Sequence, residues 1–131
     1  MHSRILSGRR VVGVLLISFL LCATALGVLR QRIQSDLDRW CMTAQAAHPH
    51  PGDDIAALLD YVQSDTHPLR QRNHAVWALG QAHDRRALPV LEGYLTSEPC
   101  DHARDLCQRE LGKAVALCKG ETPNLLHIRM P

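Results

Sequence analysis

The chain has 131 residues, a net charge of +2 from 15 Lys and Arg against 13 Asp and Glu, and 46% hydrophobic residues. That length admits one small domain, and a near-neutral balance without a clustered basic face excludes a nucleic-acid binder held by phosphate contacts. Arg far outnumbers Lys and Ala is frequent, a composition compatible with a GC-rich bacterial source.

Residues 1–10 form a basic N-terminal segment with Arg4, Arg9 and Arg10, leaving 12 of the 15 basic residues to face all 13 acidic ones beyond it. Residues 11–29, VVGVLLISFLLCATALGVL, carry no charge. As a helix they extend about 28 Å, the thickness of a bilayer's hydrocarbon core. Arg9 and Arg10 close one end and Arg30 and Arg32 the other, where long basic side chains can reach the headgroups. A helix in the core of a water-soluble domain has a polar face, and this run has none. The expectation is a transmembrane helix acting as an uncleaved signal anchor. The alternative is a cleavable signal peptide with Ala23-Thr24-Ala25 as its small-x-small site. Leu21, before Cys22, is too large for a lipoprotein signal.

The basic residues on the two sides of the run are tied, so the positive-inside rule does not orient it. The short basic N-terminus resembles a signal-peptide n-region. Together with the cysteines, it places the N-terminus in the cytoplasm and the rest in the periplasm of a bacterial inner membrane.

Residues 30–52 read as a juxtamembrane helix followed by a Pro-rich linker. Leu29, Ile33, Leu37, Trp40, Cys41 and Ala44 keep helical spacing. Trp40 is too far along an upright rod to be an interfacial aromatic, which assigns it to packing on the domain. His48-Pro49-His50-Pro51-Gly52 breaks the helix. Asp53 is a good N-cap for a helix whose apolar face is Ile55, Leu58, Leu59 and Val62. Ser64 to His67 make a turn, and Pro68 stands at a first helical position. Leu69, Val76 and Leu79 follow on the next helix, with Ala75 and Ala78 permitting close approach and Gly80 near its end. Asp84 caps a third helix with Leu88, Leu91 and Leu95 facing inward. A fourth begins near Asp101 and carries Leu106, Leu111, Val115 and Leu117. No stretch alternates as a strand, so the fold class is all-α. Residues 119–131 form a C-terminal tail.

A shift of 32 residues superposes Leu59 on Leu91, Arg72 on Arg104, and Leu79-Gly80 on Leu111-Gly112. The stretch from Leu69 to Gly80, then Asp84 to Leu91, resembles the short HEAT-like repeat, the class also found in phycobilin-lyase-type proteins. The matching positions are Arg72, Ala75, Ala78, Leu79, Gly80, Asp84, Ala87, Pro89 and Leu91. The resemblance covers residues 53–118 and implies a short α-solenoid of about two helical repeats. The second repeat departs from the pattern: Glu110 stands before Leu111-Gly112 where a small residue belongs, and no capping Asp follows. Two repeats are fewer than stacked arrays need, so another surface must cover their ends: the 30–46 helix, the tail or a partner.

Five cysteines and eight histidines are the chemistry-bearing residues. Cys41, Cys100, Cys107 and Cys118 in a small domain lean toward an oxidising compartment; the alternative is that they are small buried hydrophobes. In a straight helix over 101–118, Cys107 and Cys118 stand about 16 Å apart along the axis, beyond disulfide reach. This leaves Cys100–Cys107, if the chain before the helix folds back through Pro99 and Asp101, or a bridge involving Cys41.

The histidines, with His102 near Cys100 and Cys107, show no metal-ligand spacing, and no nucleotide, hydrolase or zincin motif is present. No catalytic, cofactor-binding or metal site is assigned and no cofactor is expected. Bilin-lyase activity in part of the resembling family belongs to larger soluble arrays, and fold does not carry function. The expected function is a membrane-anchored interaction module, an accessory or assembly subunit that docks on a larger membrane complex. Its partners are membrane lipid, through the N-terminal helix, and other protein subunits, with no nucleic acid. The alternative is a small cofactor- or metal-handling factor, or a lyase-like enzyme, using Cys and His.

Overall fold

Asp53, Pro68 and Asp84 stand at helical starts and Gly120 at a helical end in the computed structural model, which describes residues 2–96, 100–101 and 103–121, with side chains from residue 11 onward. Pro99, His102 and the tail from 122 onward, all used in the sequence reading, lie outside the described residues, as do the side chains of Arg4, Arg9 and Arg10. Five α-helices are formed among the described residues, and no strand. They are α1 (His2–Ala47), α2 (Asp54–Gln63), α3 (Leu69–Ala82), α4 (Leu88–Gly93) and α5 (Gln108–Lys119), with a 3₁₀ turn over Arg85–Ala87. The chain divides into two compact units, Met1–Gln34 and Ser35–Pro131.

The first unit is helical and is long and apolar enough to cross a membrane. Its large side chains have no protein to bury them: Phe19 is 74% exposed, and Val11 through Leu29 are exposed throughout their apolar positions. The Thr24 hydroxyl donates to the Leu21 carbonyl at 2.9 Å. A polar group in an apolar stretch is thereby satisfied within the helix.

The second unit has a single core. The end of α1 contributes Leu37, Cys41 and Ala44, all buried; these are the helically spaced positions expected from sequence, while Leu29 lies outside the core. The Asp53 side chain caps α2 by accepting the Ala56 N–H at 3.1 Å. α2 buries Ile55, Ala57, Leu58, Tyr61 and Val62. Leu59, expected on that face, is only half-buried, and Tyr61 takes a core place instead. Tyr61 can do so because its hydroxyl donates to Gln71 Oε1 at 2.7 Å, so no polar atom is orphaned.

α3 starts with Pro68 as its N-cap, one position before the expected one, and packs against both α2 and α5. It buries Arg72, Ala75, Val76, Ala78, Leu79 and Gly80. Gly80 does not end the helix. A Cβ there would meet the Ala114 Cα at 2.9 Å, so Gly80 is the point where α3 and α5 touch backbone to backbone. The helix ends on His83, whose φ of 55° is left-handed.

Asp84 caps the 3₁₀ turn through the Arg86 N–H at 2.8 Å. Arg86 then reaches two carboxylates: Asp84 through Nε and Nη2 at 3.0 and 2.9 Å, and Asp53 through Nη1 at 2.8 Å. Pro89 stands in the first turn of α4, where its missing N–H costs nothing. Leu91 is fully buried, but Leu88 is half-buried and Leu95 is 37% exposed, because α4 stops at Gly93. Residues 101 and 103–107 are not helical: α5 starts at Gln108, not near Asp101. Leu106 is buried from this loop, and Leu111, Ala114, Val115 and Cys118 from α5, with Leu117 half-buried.

Candidate functional site

Helical spacing on α1 and α3 brings two tryptophans to one side of the second unit. Trp40 follows the buried Leu37 and precedes the buried Cys41, so it leaves the core at its edge and is half-buried. Trp77 does the same between Val76 and Ala78 on α3. Between them lies a groove of about 750 Å³. His74 forms part of its wall, its ring stacked on Trp40 with centroids 4.9 Å apart and planes 12° from parallel. Trp40 also meets the edge of Tyr61 at 6.4 Å, which fixes its rotamer from the core side. Trp40 therefore packs on the domain, as its distance from the apolar run implied.

The rim is polar and carries both signs of charge: Arg39 and Arg70 against Asp36 and Glu110, with Asn73 between. Glu110, which interrupts the repeat pattern in the sequence, is thus a rim residue, ion-paired with Lys113 at 2.8 Å. An apolar, aromatic floor with a charge-balanced rim is the chemistry of a protein contact, in which amphipathic aromatics anchor and the rim sets register. Neither helical periodicity nor the repeat pattern marks this groove. The signal available in the sequence was the pair of tryptophans themselves, in a chain with only five aromatic residues of the Phe, Trp and Tyr types.

A second cluster ties the linker to the α2–α3 turn. His48 and His67 bring their Nε2 atoms to 3.0 Å, so one ring donates and the other accepts. His67 stacks on Tyr61 at 3.8 Å. Burial, with help from His48 and Arg72, holds the His67 pKa below the usual imidazole value. His50 joins Asp60 at 2.6 Å, and Gln45 bridges His50 and Asp54. Gln45 was not singled out in the sequence. Here the histidines are structural rather than scattered. No group of three or more His, Cys, Asp or Glu among the described residues is arranged to hold a metal ion.

The repeat-motif residues mostly build core. Arg72 is 7% exposed; its Nε donates to the Val62 carbonyl at 2.7 Å and its Nη1 pairs with Asp65 at 2.6 Å. Ala75, Leu79, Leu91 and Leu111 are buried. Asp84 and Pro89 start helical turns. Gly112 is exposed, with nothing within 4 Å of a Cβ placed on it.

The cysteines separate into two classes. All five are free thiols, so none of the candidate bridges is formed. Cys41 and Cys118 are buried. Cys118 points its thiol at the Leu79 carbonyl, 3.5 Å away, and burial raises its pKa to about 11. These two match the reading of cysteine as a small hydrophobe. Cys100 is exposed and Cys107 partly so, and Cys100 Sγ lies 3.2 Å from the backbone nitrogen of Gln108, the neighbour of Cys107 in sequence.

No protein-family model, curated protein or solved structure matches this chain. The site therefore rests on its own geometry.

Proposed function

We propose that the protein is a membrane-anchored interaction module, an accessory or assembly subunit whose helical domain docks a polypeptide segment of a larger membrane complex. The groove between Trp40 and Trp77 carries this reading. Two half-buried tryptophans with mixed charge at the rim suit an amphipathic segment that presents an apolar side chain flanked by both charges. The apolar run over 11–29 anchors the chain by the hydrophobic effect alone and remains uncleaved. The helical domain is read as a short HEAT-like array on the strength of the Leu69–Leu91 pattern. In that reading the end of α1 covers one open face and the partner another. The basic N-terminus supports a cytoplasmic start and a periplasmic domain. Of the four cysteines after the run, only Cys100 and Cys107 still bear on the compartment, because Cys41 and Cys118 serve the core.

Mild detergent extraction followed by native mass measurement and optical spectra tests the proposal. The expected result is an assembly much larger than the 14.6 kDa chain, with no bound chromophore or metal. Arg70→Glu and Trp77→Ser should release the monomer while leaving its melting transition in place. A wild-type monomer carrying a stoichiometric ligand would overturn the proposal in favour of a cofactor-handling protein.

A further inference from the structure

Ahead of α5 the chain makes a turn over Asp101 and residues 103–105. Asp101 closes it: its backbone carbonyl accepts the N–H groups of Arg104 and Asp105 at 3.1 and 2.8 Å. Its side chain accepts the Ala103 N–H at 3.0 Å and Arg104 Nε at 2.8 Å. Leu106 is buried beyond the turn, and Asn73 on α3 accepts the Cys107 N–H at 2.8 Å, so the far end of the loop is pinned to the core. The turn brings Cys100 up to Cys107, seven positions later: Cys100 Sγ lies 3.2 Å from the backbone nitrogen of Gln108, the residue that follows Cys107.

The two sulfurs are not equivalent. Cys100 Sγ accepts the backbone N–H of Gln108 at 3.2 Å, and Gln108 is the first residue of α5. The opening amides of a helix have no partner within the helix and carry its positive end, so they favour a thiolate over a thiol. Cys100 is exposed to solvent, whereas Cys107 is the N-cap residue and half-covered. Next to them is a groove of about 230 Å³, walled by Tyr94, Leu106, Asp105 and Gln108. Gln108 is shared between thiol and groove: its N–H holds the Cys100 sulfur while its side chain donates to the Tyr94 and Leu106 carbonyls. The backbone N–H groups of Arg109 and Gln108, together with the Cys107 thiol, lower the Cys100 pKa against a smaller opposing effect of burial.

We propose that Cys100 and Cys107 form a thiol–disulfide exchange site, with Cys100 the attacking sulfur, Cys107 the resolving sulfur, and a protein or small-molecule disulfide as co-substrate. The Cys100 thiolate attacks one sulfur of the co-substrate disulfide. A Cys100–S–S–R bond forms, the co-substrate S–S bond breaks, and the departing thiolate takes up the proton that Cys100 gave to solvent. Cys107 then loses its proton and attacks the Cys100 sulfur. The mixed disulfide breaks, the second thiolate leaves and is protonated, and a Cys100–Cys107 bond remains. Two thiols are oxidised, one disulfide is reduced to two thiols, and two electrons pass from the chain to the co-substrate. This activity is independent of the groove at Trp40 and Trp77.

The test uses the full chain in detergent with oxidised glutathione as the probe, followed by maleimide quenching and tryptic mapping. Trypsin cuts at Arg104, between the two cysteines. The expected product of the wild type is a disulfide linking the Cys100 peptide to the Cys107 peptide. Cys107→Ser should trap glutathione on Cys100, and should do so about tenfold faster than Cys100→Ser takes it up on Cys107. Cys118 should stay unmodified throughout as an internal control for folding, and both variants lie at the surface, so their melting should match the parent. Three results would each overturn the proposal: no 100–107 link, equal rates in the two single variants, or faster uptake on Cys107.

Discussion

The α2–α3 pair closes its connection from within, whereas the α4–α5 pair closes its connection at the surface. In the first, Arg72 lies buried along α3 and caps the C-terminal carbonyl of Val62 on α2 while pairing with Asp65 in the turn. In the second, Arg104 occupies the corresponding place in the 32-residue register but lies in a loop, bound to the exposed Asp101. The difference lies in where the second helix of each pair begins. α3 starts at Leu69, three residues before Arg72, whereas α5 starts at Gln108, four residues beyond Arg104. Two arginines that coincide in the 32-residue register therefore perform different structural duties, one building core and one shaping a surface loop.

The largest contrast should be between the two arginines. Arg72→Ala removes the Nε donor from the Val62 carbonyl and the packing of the arginine stem. It should cost about 2–3 kcal/mol in denaturant unfolding. Asp65 is itself exposed, so no buried carboxylate is stranded and the loss stays below that of a fully buried pair. Arg104→Ala should change stability by less than about 0.5 kcal/mol. Equal losses would mean that both arginines serve the core.

The two register-matched glycines give a contrast of comparable size that reverses sign. Gly80→Ala forces a Cβ against the Ala114 backbone and should cost about 1–3 kcal/mol, with Gly80→Val costing more. Gly112→Ala meets no neighbour in an exposed helix interior and should stabilise by about 0.5–1 kcal/mol. If thermal melts show both substitutions shifting stability in the same direction, the α3–α5 contact is not where it is described.

The smallest effect concerns pH and again lies in the α2–α3 connection. The folded-state pKa of His67 is depressed below 6.5, chiefly by burial, so the unfolded chain binds the proton more readily. This contribution to stability is present above about pH 6.5 and is lost as pH falls through the lower folded-state value. The melting temperature should therefore drop between about pH 7 and pH 5.5 in the wild type and drop less in His67→Phe. An unchanged slope in the variant would remove His67 as the cause.

The sequence made the helical class legible, along with the apolar run, the Asp53 and Asp84 caps, the 48–52 break and the buried end of α1. Each of these depends on local chemistry: a missing charge, a short acceptor before a helix, a proline. It misplaced the start of α5 because Leu106 keeps helical spacing with the residues after it, although its burial is achieved from a loop anchored by Asn73. It placed Gly80 near the end of α3, where it lies, but the demand for a glycine there comes from Ala114 on a distant helix, which no local pattern shows. The groove was not legible either. Trp40 and Trp77 become neighbours only through the packing of α1 on α3, which no local pattern encodes. Cys100–Cys107 was legible as a geometric option, since a fold-back at Asp101 was required and is present; the inequality of the two sulfurs depends on where α5 begins.

Arg86 joins the N-caps of two helical segments that are far apart in sequence. Its guanidinium holds Asp53 and Asp84 together, and those carboxylates in turn hold the amides of Ala56 and Arg86. Because the cation is exposed, dissolved ions compete for it directly. Ionic strength thus becomes a single control over two helix starts: in concentrated salt both caps lose their shared counter-charge together. The amides of Ala56 and Arg86 should then exchange with deuterated solvent in step, although nothing in the covalent chain makes them neighbours.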